Sequence, residues 1–300
     1  MKLYATLSFI FISLFFNEVY ANNFDPAACN KALEKGDTAS ALSQANKILI
    51  ANNNDKDALI CQARALMANK DFNGALASFK LAELQAKQAF DKTIVSLLIG
   101  HTYQSLKQSE LSIASYQNTI LNAQLAENKA FERIAYNAIG DVYFNDKQLT
   151  QALDAYQQGR QLAANDNERG ESCEKVALTY HHLQQDDLAL EFQIKAYLLH
   201  DTAGTLDQYA HSSIELGRYY AIVKNYANAE RTLNKIIKFA KEQGGAYYEA
   251  QASYVLAKIK VATGDIAAAK QLLENAKSIA KANNDKALDE EITQETQGLF

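Results

Sequence analysis

Arg133 to Arg160 reads RIAYNAIGDVYFNDKQLTQALDAYQQGR, two short helices back to back. The first carries Tyr136, Ile139, Gly140 and Tyr143 on one face, and the second carries Ala152, Leu153, Tyr156 and Gly159. Large and small residues alternate at helical spacing because two helices must approach closely. Gly140 and Ala152 leave room for a neighbouring backbone, and Tyr136, Tyr143 and Tyr156 fill the gaps that result. One such hairpin cannot bury its apolar face alone, so copies must stack and the pattern must recur.

It does recur. Taking Ala152 as the anchor, the equivalents are Ala41, Ala75, Ser112, Ala152, Ala189, Ala229 and Ala269, at steps of 34, 37, 40, 37, 40 and 40 residues. The first-helix glycine returns as Gly100, Gly140 and Gly217, with Ala63, Ala177 and Ala257 in its place elsewhere and Cys29 in the first copy. The first-helix tyrosine returns as Tyr103, Tyr143, Tyr180 and Tyr220. Seven copies in phase resemble the tetratricopeptide repeat (TPR) family. The resemblance implies an all-α, TPR-like α-solenoid: a right-handed superhelix of about seven helical hairpins with a C-terminal capping helix. The chain departs from the family pattern in having no Trp, no closing Pro (Pro26 is the sole proline) and mostly longer periods. Longer second helices or longer turns between repeats would absorb the extra residues.

Composition agrees with that class. Of 300 residues, 48% are hydrophobic, and one Pro and 12 Gly leave few helix breakers. No sustained alternating run rich in Val, Ile and Thr signals a strand. A net charge of −5 with interspersed signs offers no basic stripe, which argues against nucleic acid and against anionic lipid surfaces.

From the start, Lys2 precedes a 14-residue apolar run, Leu3 to Phe16, and Val19-Tyr20-Ala21 ends in a small residue. Residues 1–21 read as a secretory signal cleaved after Ala21. The run is short for a transmembrane helix, which needs about 20 apolar residues. An uncleaved N-terminal anchor is the competing reading. The expected product is periplasmic or secreted, with no membrane span once the signal is gone. Residues 22–300 are read as a single solenoid domain. Its repeats fall at about 22–52, 56–85, 93–123, 133–163, 170–199, 207–242 and 246–281, with the capping helix at about 286–297. No turn residues separate Leu81 from Phe90, so the second helix of the second repeat is expected to run long. In the last helix, Leu288 and Ile292 are apolar at i, i+4 spacing and the remainder is polar, as a cap requires.

Cys29 and Cys61 fall on the first helices of adjacent repeats, and two readings stand side by side: a disulfide, or two small buried residues. Cys173 reads as a buried residue. His181 and His182 are adjacent, so their side chains diverge by about 100° and ill suit one metal. No phosphate loop and no nucleophile–base arrangement is present, so neither an enzyme nor a cofactor is expected.

The expected site is a surface. In TPR proteins the first helices line a concave groove, and the residue after the packing glycine faces into it. Carried onto this chain, that row includes Arg64, His101, Asp141, Leu178, Arg218 and Lys258, with Asn30 in the first repeat. Leu97, Asn137, Glu174 and Tyr254 lie a turn earlier, and Phe144 and His181 about a turn later. Charge, amide and apolar groups together suit a peptide or a protein segment. The chaperone carboxylate clamp of some TPR proteins needs a Lys where this chain has Pro26, so that ligand is rejected. The resemblance thus implies an exported protein–protein interaction scaffold, employed by analogy in assembling an envelope complex. The alternative is a peptide or small-ligand sensor reporting to a membrane partner.

Overall fold

In the computed structural model, which describes residues 25–300, helices follow one another along the whole described length. The predicted signal, residues 1–21, lies outside the described residues. Contacts group the chain into two compact units, divided after Gln85.

The first unit holds α1 (Pro26–Glu34), α2 (Thr38–Ala51), α3 (Lys56–Ala68) and α4 (Phe72–Gln85). Consecutive helices pack as hairpins, and the first helices of the two hairpins, α1 and α3, also touch. Their starts are set locally. Asp25, Asp37 and Asp55 each accept a free backbone N–H of the helix that follows, and Pro26 occupies the first turn, where its missing N–H costs nothing. The core is small and rich in alanine: Ala32, Ala41, Ala45 and Ala65. Across it runs a disulfide between Cys29 and Cys61, whose Cα atoms are 6.2 Å apart. The disulfide reading is therefore the one the structure adopts. A covalent link compensates for a core with little apolar area to bury.

The second unit holds α5 (Ala89–Ser105), α6 (Ser109–Leu125), α7 (Lys129–Asn145), α8 (Leu149–Gln161), α9 (Asp166–His182), α10 (Asp186–Ala203), α11 (Leu206–Ile222), α12 (Tyr226–Gln243), α13 (Ala246–Ala262), α14 (Ile266–Ala282) and α15 (Lys286–Glu295). First helices again meet their neighbours, α5 with α7 and α11 with α13. Leu288 and Ile292 of α15 are buried against the last hairpins, in one cluster with Leu233, Ile236 and Tyr254. That is the capping role read from their spacing.

The long second helix expected across residues 81–90 does not form. α4 ends at Gln85, and Gln88 is extended, at φ −83° and ψ 151°, before α5 begins. No Gly, Pro or Asx marks this break, so propensity could not reveal it. The varying period is explained by helix length. α2 and α3, flanking the 34-residue step, have 14 and 13 residues. α6 and α7, flanking the first 40-residue step, have 17 each. The additional residues enter both helices, and the turns stay short.

One geometry closes all seven hairpins. Gly36, Lys70, Lys107, Lys147, Gln184, Lys224 and Gly264 have left-handed backbone, with φ between 58° and 86°. Each sits five residues before the anchor Ala or Ser. At Lys147 the motif is complete: Lys147 N donates to Phe144 O at 3.0 Å, and Gln148 N to Tyr143 O at 2.8 Å. This paired capping satisfies the last carbonyls of the first helix and turns the chain back on itself. Five of the seven positions are not glycine, so each carries a steric cost that packing outweighs.

The anchors then reach the tightest part of the hairpin, and all seven are 0% exposed. Ser112, the one hydroxyl among them, donates to Gly100 O at 2.8 Å and so is satisfied. Opposite lie the small first-helix residues. A Cβ at Gly140 would overlap the Tyr156 ring, one at Gly100 the Tyr116 ring, and one at Gly217 would lie 2.6 Å from Leu233 Cγ. Tyr156 and Tyr116 are buried as this requires, whereas Tyr136 and Tyr143 are half-buried and only flank the core.

Two outcomes are expected. Reducing the Cys29–Cys61 bridge, whose ends are 32 positions apart in sequence, should cost the first unit roughly 3–4 kcal/mol from loop entropy. Urea unfolding with and without reductant, alongside Cys61→Ala, measures this, and coincident curves would contradict it. Lys147→Gly should stabilise by about 1 kcal/mol, because glycine takes the left-handed conformation without a Cβ penalty. A lower urea midpoint for that variant would show that the Lys147 side chain has another role.

Candidate groove on the first helices of the second unit

Three first helices, α9, α11 and α13, line a groove of about 430 Å³. Leu178, Ile222, Val255, Ile259 and Ala262 supply its apolar wall, with Tyr219 and Tyr226. Leu178 is 44% and Ile222 37% exposed, so large apolar groups face open space here. His181, Glu215, Arg218 and Lys258 supply the polar part. Helical spacing explains the division. Glu215, Tyr219 and Ile222 lie three before, one after and four after Arg218, which places all four on one broad face of α11.

The charges are held in a defined order. Arg218 pairs through Nε with Glu215 at 3.1 Å, and through Nη2 donates to the Tyr254 hydroxyl at 2.7 Å. Its Nη1 reaches Glu295 of α15 at 3.4 Å, and Lys258 Nζ donates to the same Glu295 oxygen at 2.9 Å. Burial raises the Glu215 pKa, against the pull of Arg218. Glu295 is shifted the other way: the hydrogen bond from Lys258 and the charge of Arg218 hold its carboxyl below the usual range. His181 Nδ1 lies 2.6 Å from Asp186 Oδ1, and its ring meets Tyr219 edge-on at 5.8 Å.

Of the residues singled out from the sequence, His181, Arg218 and Lys258 come together in this groove, with Leu178 from the same row. The others are placed differently. Arg64 lies in the first unit and donates to Asn30. Leu97 is buried among Tyr116, Ile120 and Ile139, so it packs the core and presents no open face. Tyr254 is likewise buried, because its ring is needed between α13 and α15, and its hydroxyl donates to Glu291 at 2.6 Å. Asn137 packs against Gly159, where a Cβ would overlap its side-chain oxygen, so it points at the second helix of its own hairpin.

His101 accepts or donates across 2.7 Å to the Tyr116 hydroxyl, and burial lowers its pKa. Asp141 accepts from Tyr156 at 2.7 Å and from Lys175 at 2.6 Å. Phe144 stacks edge-on to His182 at 4.8 Å. Glu174 lies 3.5 Å from His200, which is 1% exposed and also 3.1 Å from Ser212 Oγ. The row read from the sequence thus supplies four groove residues, Leu178, His181, Arg218 and Lys258, and its other side chains are engaged elsewhere. Ile222 was missed because helical apolar residues read as core; Tyr219, Val255 and Ile259 border the groove but are themselves buried core. The distance of four residues between Ile222 and Arg218 was the usable signal.

Among the described residues, no group of three His, Cys, Asp or Glu stands where it could hold a metal, and no helix is long and apolar enough to cross a membrane. Cys173 is a buried free thiol, with its pKa raised by burial.

Residues 250–283, which run from α13 into α14, match the tetratricopeptide repeat family model. The fold is that of tetratricopeptide repeats. The apo form of RapI superposes with a TM-score of 0.71 at 14% identity, over 91% of this chain and 84% of that one. The C-terminal part of a TPR repeat-containing protein from Cytophaga hutchinsonii gives 0.61 at 13% identity, over 89% and 98%. The APC/C hetero-tetramer Cut9-Hcn1 gives 0.55 at 13%, over 93% and 50%. No curated protein sequence matches the chain. In this TPR fold the groove belongs to the fifth, sixth and seventh hairpins.

His200 gives a pH test of the packing beside the groove. Burial opposes its charge, but Glu174, the Asn167 backbone and Glu171 outweigh burial and raise its pKa. Stability from this ion pair is then complete below the unfolded value of about 6.5 and is lost as pH rises through the folded pKa. His200→Gln should therefore cost more at about pH 5.5 than at about pH 8.5 in urea unfolding. An equal cost at both would mean His200 is neutral throughout.

Proposed function

We propose that this chain is an exported, non-catalytic scaffold that holds a peptide or protein segment in the groove of α9, α11 and α13. The observation that carries the reading is the exposure of Leu178 and Ile222 beside the ordered charges of Arg218 and Lys258. Apolar anchors with polar groups at the rim are what a peptide needs for both affinity and register. A chain of similar fold stands in the hetero-tetramer Cut9-Hcn1, which is in keeping with a protein partner. Two features support export: the signal-like residues 1–21, and the Cys29–Cys61 disulfide, a bond that persists in oxidising compartments and is rare in the cytosol. Service in assembling an envelope complex is added to this proposal by analogy of fold alone.

The second reading, a small-ligand or peptide sensor, draws on the size of the groove. About 430 Å³ lies within the range of small-molecule sites. A stabilising component of low molecular weight in a thermal-shift fractionation would favour it.

Asp141 and Arg218 are engaged internally, so the informative substitutions are apolar and exposed. A photocrosslinking residue at Leu178 should capture a discrete partner, one at exposed Leu125 on α6 should not, and Ile222→Glu should abolish the Leu178 product with melting temperature unchanged. Equal capture at both positions, insensitive to Ile222→Glu, would place binding elsewhere.

A further inference from the structure

The last helix does more than cover the end of the core. Glu295, in its final turn, sends one oxygen to two cations, Lys258 Nζ at 2.9 Å and Arg218 Nη1 at 3.4 Å. Both cations line the groove, and they come from different first helices, α13 and α11. Arg218 is fixed in place independently of Glu295, by Glu215 on Nε and by the Tyr254 hydroxyl on Nη2. Its remaining Nη1 edge is thus aimed where a carboxylate is wanted. Among the described residues, the hydrogen bond and ion pair of Lys258 are both to Glu295.

From the groove's structure we infer that it recognises a peptide segment bearing a side-chain carboxylate next to aliphatic residues, and that Glu295 holds the place of that carboxylate until the segment arrives. This rests on the groove reading above and specifies its ligand. Three observations carry it. The first is charge complementarity: without Glu295, Arg218 keeps Glu215 on Nε and the Tyr254 hydroxyl on Nη2, while its Nη1 and the Lys258 ammonium lose the carboxylate they share, which leaves that spot favourable to an acid. The second is adjacency: exposed Leu178 and Ile222 line the groove with the two cations, over buried Val255 and Ile259, so an acid seated there has open aliphatic neighbours.

The third is that Glu295 can leave without unfolding its helix. α15 is held by Leu288 and Ile292 in the core, and by Glu291, which accepts from Tyr254 at 2.6 Å and from Gln251 at 2.7 Å. Glu295 lies one turn beyond those anchors, and its side chain is 40% exposed. A rotamer change frees both cations while α15 stays docked. An exposed ion pair of this kind is a weak brake, which suits a contact made to be exchanged.

The test uses a display library of random twelve-residue peptides joined to their carrier at the C-terminus, so that side chains are the only source of peptide carboxylates within the random segment. Selected peptides, synthesised with blocked ends, are measured by fluorescence anisotropy against the full chain and against Glu295→Gln, Lys258→Gln and Ile222→Glu. All three positions are exposed or partly so, and circular dichroism melts confirm folding. The selected peptides are expected to carry Asp or Glu beside Leu, Ile or Val. Glu295→Gln should tighten them about threefold to fivefold. Lys258→Gln, or amidation of the peptide's acid, should weaken them about tenfold. Peptides that lose binding to Ile222→Glu but ignore Lys258→Gln and Glu295→Gln would overturn the carboxylate inference and leave the groove standing. A selection with no peptide sensitive to Ile222→Glu would overturn both.

Discussion

Each hairpin rests on a close approach between helices in which a small residue meets a large one. Gly100 against Tyr116 and Gly140 against Tyr156 leave no room for a single extra carbon. Close packing of this kind fixes the rotation of the two helices about their axes, because a ring can enter only where a side chain is missing. The tight turn five residues upstream serves the same contact. It satisfies the final carbonyls of the first helix and delivers the anchor, Ala or Ser, to the crossing in every copy. Once both are fixed, helix length is free to vary, and the chain uses 13 to 18 residues for most helices without disturbing the crossing.

That constraint also determines what is left for binding. On the first helices, positions next to the crossing are drawn into it: Leu97 and Tyr254 become core, and Asn137 turns toward Gly159. Several charged positions are taken by neighbours within the second unit, as Asp141 is by Tyr156 and Lys175. The groove at α9, α11 and α13 differs because aliphatic groups there remain exposed among ordered charges. Burying them against a partner would gain roughly 25 cal/mol per Å² of apolar surface removed from water. The charged groups at its edge add register more than affinity.

Helix α15 joins the two themes. Its apolar side completes the core, and its carboxylates reach the groove, so the same ten residues terminate the fold and set the electrostatic state of the site. A cap that only shielded apolar surface would have no need of Glu291 and Glu295 on the side facing Tyr254 and Lys258.

The repeat, its phase and the all-helical class were readable from residues because they depend on local periodicity. The anchors at 41, 75, 112, 152, 189, 229 and 269 are all buried where the spacing put them. The end of α4 at Gln85 was not readable, since no turn residue marks it, nor was the left-handed backbone conformation of Lys70, Lys107, Lys147, Gln184 and Lys224, where packing overrides intrinsic preference. The pairing of Cys29 with Cys61 stayed open because spacing alone does not give the distance between two Cα atoms. Sequence by itself determined which face of each hairpin is small and which is large, since helical period and side-chain volume are properties of neighbouring residues. Tertiary structure alone decided that Glu295 meets Arg218 and Lys258 across 77 and 37 residues. Such a meeting is set by how helices far apart in the chain stack, and no local pattern encodes it.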